Sequence, residues 1–271
     1  MKTKKTKSAY LAEPGKRIHL SHWKTDEDGG YKNEEAAAPL LVKHRERLAK
    51  LQEILYAGQG KAVLIVLQGM DTAGKDGTIR HIFSGINPQG CDVTAFKVPT
   101  PLERRHDFLW RAHNAAPPLG MIGVFNRSHY EDVLSPRVHK LISGKTVRER
   151  FEEINRFEES LFENDVVILK FFLHISQDEQ TRRLQARLDN PDKHWKLSEG
   201  DFKERRFWLG YEEAYEDLME ATSRRHAPWF VIPADRKWYR NLAISSILVD
   251  AMDGLKLKYP EPTFDASAVK L

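Results

Sequence analysis

Five short apolar runs, separated by stretches of helical period, limit what this chain can fold into. They lie at residues 62–67 (AVLIVL), 93–98, 121–125 (MIGVF), 166–173 (VVILKFFL) and 229–232 (WFVI). The first, third and fourth are apolar on both faces, as strands of a parallel sheet covered by helices must be. Several intervening stretches open with a Ser/Thr followed three residues later by an acid: Thr100 and Glu103 with Pro101 between them, Thr146 and Glu149, Ser176 and Glu179, Ser198 and Asp201. Strand–helix–strand repetition of this length builds right-handed crossovers. The fold class expected is therefore α/β, a doubly wound parallel sheet of five strands. In such sheets ligands sit beyond the carboxyl ends of the strands.

The chain has 271 residues and a formal charge of +4, and Lys2, Lys4, Lys5 and Lys7 carry an excess of that size between them. The basic balance is thus a property of the first residues, and the rest of the chain sums to zero. Residues 1–38 are polar, broken by Pro14-Gly15 and Gly29-Gly30, and are expected to form an irregular N-terminal arm. Pro39 then opens a helical pattern carrying Leu41, Leu48, Leu51 and Leu55. A single domain over 39–260 and a C-terminal tail over 261–271 complete the expected division. The one cysteine, Cys91, excludes an intramolecular disulfide and a cysteine-based zinc site. No run approaches the length of a membrane span, and no apolar stretch follows the basic N-terminus. A cytoplasmic protein with no membrane partner is expected.

The first apolar run passes directly into Gly69-Met70-Asp71-Thr72-Ala73-Gly74-Lys75-Asp76-Gly77. Gly69, Gly74 and Lys75 fit the spacing G-x-x-x-x-G-K. A loop of this kind wraps a phosphate with converging backbone N–H groups and the positive end of the next helix, and the lysine adds a mobile charge. The bare spacing is weak evidence. The preceding strand and the following helix, with Ile79, Ile82, Phe83 and Ile86 on one face, strengthen it. Two departures stand out. Asp76 replaces the usual Ser/Thr ligand for Mg²⁺. Asp71 puts an acid inside the loop, either as a turn-former bonding its own backbone or as a group that holds a metal or orients the attacking oxygen.

The third run ends in Asn126-Arg127-Ser128-His129-Tyr130-Glu131-Asp132, at the same edge of the sheet. Ser128 and Glu131 have capping-box spacing, so Glu131 is either a cap or a site residue. Arg127 suits phosphate oxygens and Asp132 suits Mg²⁺ alongside Asp71, with a local ion pair as the plain alternative for each. Histidines such as His129 are more often packed than catalytic.

Residues 182–206 carry eight Lys and Arg residues against five acids. A break at Asn190-Pro191 precedes a loop with His194, Trp195 and Lys196. A lid folding positive charge over a polyanion is expected, with a plain surface loop as the alternative. By contrast, residues 147–165 hold three arginines against seven acids and read as a solvated amphipathic helix. Lys97, Arg104, Arg105 and Arg111 form a third basic group, most simply a solvated helix face.

The segments GMDTAGKDGTIR, NPQG, FLWRAH, FNRSHYEDVL, KFFLHISQDEQ, RLDNPDKHWK and APWFVIPADRKWYRN, in that order, resemble the polyphosphate kinase 2 family over most of the chain. The FNRSHYED form is most like the third class of that family. The resemblance implies a P-loop kinase fold of the thymidylate kinase type with a helical lid. It implies transfer of a terminal phosphate between inorganic polyphosphate and nucleoside mono- and diphosphates, AMP/ADP or GMP/GDP, with Mg²⁺ or Mn²⁺. It gives Asp71, Lys75, Arg127 and Asp132 catalytic roles, with Asp71 and Asp132 toward the metal. It implies phosphate or nucleotide contacts from Gly69, Met70, Thr72, Ala73, Gly74, Asp76 and Gly77, from Asn126, Ser128, His129, Tyr130 and Glu131, and from Arg183, Arg187, Lys193 and Lys196. It also implies a homo-oligomer, for which the helices of residues 39–58 and 236–258 offer candidate apolar faces. No specific nucleic-acid partner is expected. An ATP-dependent nucleoside monophosphate kinase on the same fold is the competing assignment.

Overall fold

In the computed structural model, which describes residues 9–264, strand β2 (Ala62–Gln68) is buried along its whole length. It sits mid-sheet because both its faces are apolar and need cover. Its neighbours are β4 (Ile122–Asn126) and β5 (Val166–His174), both parallel to it. Beyond them lie β3 (Cys91–Ala95) on one side and β6 (Trp229–Pro233) on the other, also parallel. These are the five expected strands. A sixth, β1 (Leu11–Ala12), pairs antiparallel with β6, giving the order β1-β6-β5-β2-β4-β3. The N-terminal arm is thus not wholly irregular: two of its residues cap an otherwise open sheet edge, which limits pairing with other chains. Lys2, Lys4, Lys5 and Lys7, and the last seven residues of the expected tail, lie outside the described residues.

The first long helix, α1 (Glu34–Gly58), starts five residues before Pro39. Asn33 supplies the cap, its side chain accepting from the N–H of Ala36, and Pro39 falls within the second turn. Helix α2 (Lys75–Ile82) follows the glycine loop. Helices α3 (Trp110–Ala115), α4 (Glu131–Val138) and α5 (Gly144–Glu163) flank the β3–β4–β5 connections. Ser143 caps α5, three residues ahead of the expected Thr146 start. Helix α6 (Gln177–Leu188) is capped by Ser176 as its sequence signal implies. The short α7 (Glu199–Glu204), α8 (Trp208–Thr222) and α9 (Lys237–Gly254) complete the chain. Helix α9 is buried nearly all round and packs on α1 within the same chain, where His44 Nδ1 lies 2.9 Å from Ser245 Oγ. The faces expected to mediate contacts between copies therefore largely cover each other. No helix among the described residues is long and apolar enough to cross a membrane.

One strand residue breaks the apolar pattern. Lys170 of β5 is fully buried, and its ammonium donates to Glu158 of α5 at 2.5 Å, to Tyr130 Oη at 2.9 Å and to the carbonyl of Thr222 at 2.8 Å. A buried charge survives only with such a set of partners.

Candidate active site

The parallel strands run the same way, so the loops after β2 and β4 face each other at one edge of the sheet. There they open onto a cavity of about 1090 Å³ lined by twelve lysines and arginines and six carboxylates. Residues 8–271 sum to zero formal charge, yet positive charge is in excess here.

The glycine loop is held in an unusual backbone conformation. Gly69 and Gly74 have φ of +151° and +106°, and Thr72 has φ of +65°. A Cβ on Gly69 would stand 2.8 Å from the carbonyl oxygen of Leu173, so only glycine fits beside β5. Thr72, Gly74, Lys75, Asp76 and Gly77 line the cavity, whereas Met70 and Ala73 are buried behind it. Lys75 Nζ donates to the carbonyls of Gly69 and Met70 at 2.6 and 3.3 Å. Burial, with Arg127 adding, lowers its pKa to about 8.

Arg127 follows β4 with φ of +59°, a left-handed conformation that turns the side chain back over the glycine loop. Its Nη2 donates to Asp71 at 2.5 Å and its Nη1 to Glu131 at 3.3 Å. Burial opposes its charge, but Glu131 and Asp71 outweigh that and hold its pKa above the ordinary value. Glu131 also accepts from Gln68 Nε2 at 3.1 Å. Its carboxylate thus pairs with Arg127 at the edge of the cavity. The capping box with Ser128 does not form, because the Ser128 hydroxyl accepts instead from the N–H of Tyr130. Asn126 donates to Asp76 at 2.8 Å, tying the end of β4 to the start of α2.

Asp132 pairs with Arg111 at 2.7 Å, the two side chains 16% and 7% exposed. Burial raises the Asp132 pKa, and Arg111 works against that rise. Arg111 is therefore a site residue, contrary to the solvated face expected of it: α3 turns it inward, where it also donates to the carbonyl of Lys97.

Three contact residues expected between Arg127 and Glu131 do not reach the cavity. Ser128, His129 and Tyr130 lie in the core, not in the cavity. His129 packs among Phe125, Tyr130 and Phe157, and burial lowers its pKa. Tyr130 donates to Glu158 at 2.8 Å. The tight turn after Arg127 sends the middle of this segment under the sheet and returns only Glu131 and Asp132 to the cavity.

From α6 and the lid, Arg187, Lys193 and Lys196 line the cavity. Trp195 is 79% exposed, with the Lys196 ammonium 4.8 Å from its ring centroid. Arg183 is different. It is buried, and its guanidinium is committed to Glu179 and to the carbonyls of Thr72, Ala73, Ala234 and Asp235. That leaves it no free N–H for a ligand, so its expected direct contact is replaced by one with the loop backbone. Arg80, Lys237 and Arg240 also line the cavity and were not singled out from the sequence, where single cations on helices look like solvated ones.

Metal fit follows from the carboxylates. Asp71, Asp76, Glu131 and Asp132 all face the cavity. Among the described residues no three metal-ligating side chains converge, and Asp71 and Asp132 are held by different arginines. Mg²⁺ needs only one or two carboxylates besides phosphate oxygens and water, so this donor set fits a hard cation that arrives with a phosphate ligand.

A strand–glycine loop–helix unit facing an arginine and two acids across a cationic cavity is the apparatus of a phosphoryl-transfer protein. The family model for Polyphosphate kinase 2 matches residues 31–260, and the chain belongs to that family. It is 48% identical over 254 residues to an AMP/ADP-polyphosphate phosphotransferase of Meiothermus ruber, covering 93% of this chain and 95% of the relative. It is 45% identical over 271 residues to an ADP-polyphosphate phosphotransferase of Rhodopseudomonas palustris, covering 96% and 93%. The crystal structure of polyphosphate kinase 2 from Arthrobacter aurescens superposes with a TM-score of 0.90 at 43% identity, covering 95% of each chain.

Proposed function

We propose that this enzyme moves the terminal phosphoryl group of inorganic polyphosphate onto nucleoside mono- and diphosphates. The observation that carries the proposal is the cavity: twelve lysines and arginines, Arg127 and the lid cations among them, surround one space that the glycine loop also lines. A nucleotide and a polyphosphate end bring many negative charges together, and that number of cations suits both at once. The names of the Meiothermus ruber and Rhodopseudomonas palustris relatives support the same substrates, and the former supports both AMP and ADP as acceptors. Acceptance of both corresponds to the third class of the family.

A terminal phosphate oxygen of the nucleotide attacks the end phosphorus of the polymer. The bridging P–O bond breaks, and the shortened polymer leaves with the electron pair. Lys75 and Arg127 neutralise charge on the transferring group, and the loop backbone positions it. Arg187, Lys193 and Lys196 close positive charge over the polymer and exclude water. Asp71 and Asp132 would hold Mg²⁺ or Mn²⁺, which when bound supplies charge neutralisation to the phosphate oxygens.

The deciding assay combines Mg²⁺, long-chain polyphosphate and ADP or AMP, and follows ATP. ATP formation is expected. No product from polyphosphate, with product from ATP plus a nucleoside monophosphate, would sink the proposal in favour of an ATP-dependent monophosphate kinase.

A further inference from the structure

The back of the glycine loop is as organised as its front. Gln180 Nε2 donates to the carbonyl of Asp71 at 3.0 Å. Arg183 Nη1 donates to the carbonyls of Thr72 and Ala73 at 2.9 and 3.1 Å, and Arg240 Nη1 donates to Ala73 at 3.1 Å. Three consecutive carbonyls are thus drawn to one side. In a trans peptide the next N–H points the opposite way: that of Ala73 is taken by the carbonyl of Met70 at 3.1 Å, and those of Thr72 and Gly74 point away from these donors. Gly74 lies directly against the Arg240 guanidinium, which occupies the space a Cβ would need.

Arg240 and Arg183 differ in one respect. Arg183 has a carboxylate partner, Glu179, at 2.7 Å. Arg240 is 2% exposed, and its other two hydrogen bonds go to the neutral amide of Asn241 at 3.2 and 2.9 Å. Among the described residues no carboxylate lies within ion-pair distance of it. Burial, and then Arg183, lower its pKa to about 9. A buried cation without a counter-ion is costly, and ordinary packing gives no reason to keep one.

We infer that Arg240 is a positioning residue whose missing counter-charge is the phosphate that the glycine loop holds. It orients the loop through the Ala73 carbonyl and keeps an uncompensated positive charge behind Gly74 until an anion binds in front. The unbound protein bears the cost of the isolated charge, and the bound complex recovers it as affinity. Because Arg183 belongs to the helix that leads into the lid, the same carbonyl also links lid position to loop shape. This inference rests on the phosphate-binding role proposed above.

Two substitutions separate charge from scaffolding. Arg240→Lys keeps the charge and loses the planar fork. Arg240→Gln keeps a donor for Ala73 and loses the charge. Binding of inorganic tripolyphosphate is measured by calorimetry, and thermal unfolding is measured without ligand. The lysine variant is expected to bind within about threefold of the unsubstituted protein. The glutamine variant is expected to bind at least about tenfold more weakly, yet to melt no lower than the lysine variant when ligand-free. Equal binding by the two variants, or tighter binding by the glutamine one, overturns the inference. So does failure of the glutamine variant, or of both, to fold, because the charge or the residue would then serve the unbound fold. If the unsubstituted protein itself fails to bind tripolyphosphate, the proposed function falls instead.

Discussion

Arg127 Nη2 donates to Asp71 Oδ1 at 2.5 Å, bridging the end of β4 and the glycine loop across the mouth of the cavity. The cation that suits a transferring phosphoryl group is thus held by carboxylates before substrate arrives, and phosphate must compete for it. Asp71→Asn should therefore separate binding from turnover. Tripolyphosphate binding without metal is expected to tighten several-fold, while turnover falls by about 10²-fold or more. Unchanged turnover would remove Asp71 from the chemistry.

Asp132 and Arg111 form a mostly buried pair, so substitution on either side has a stability cost as well as a catalytic one. Asp132→Asn keeps an acceptor oxygen and should lose about 1–2 kcal/mol, with turnover down by orders of magnitude. Arg111→Met leaves the carboxylate uncompensated and should lose about 3 kcal/mol. Urea unfolding and initial rates on the same preparations check both.

Lys75 is expected to take up a proton when phosphate binds. Its pKa of about 8 in the free protein leaves about half of it neutral at pH 8. An anion favours the charged form and raises that pKa, so uptake should appear at pH 8 and vanish below about pH 6.5. Calorimetric titration with tripolyphosphate in two buffers of different ionisation enthalpy measures it. Subtracting the same measurement on Lys75→Arg, which stays charged, cancels titration of the ligand.

Polyphosphate has no base to recognise, so charge must dominate its affinity. By analogy with nucleic-acid backbones, affinity should fall about tenfold or more between 50 and 200 mM salt. A flat titration over that range would contradict a cationic cavity.

The polar cluster under the sheet is structural by its position. Lys170→Met leaves Glu158 buried without its partner and should cost about 3–5 kcal/mol. His129→Leu, in the same core and away from the cavity, should leave turnover within about threefold. A hundredfold loss with normal unfolding would return His129 to the site.

The parts of the fold that were legible in the sequence are local. The glycine loop could be read because strand, loop and helix are consecutive, and β2, β4 and β5 because both of their faces are apolar. The roles of three arginines were not legible. Arg111, Arg183 and Arg240 each sit on a helix among polar residues, and only the packing of that helix decides whether a cation faces water, a carboxylate or a backbone carbonyl. The segment from Arg127 to Asp132 shows the same limit. Its ends reach the cavity and its middle is core, because one left-handed residue at Arg127 sets the turn. Strand β1 was missed because two residues carry no periodic signal.

The most direct measurement follows phosphorus itself. In a ³¹P NMR time course with Mg²⁺, polyphosphate and ADP, and no other phosphoryl donor, terminal nucleotide signals of ATP should grow. Polymer phosphate should fall one-for-one with that growth, without release of free phosphate. Free phosphate accumulating in place of ATP, or ATP failing to form until another nucleotide donor is added, would contradict direct transfer from the polymer.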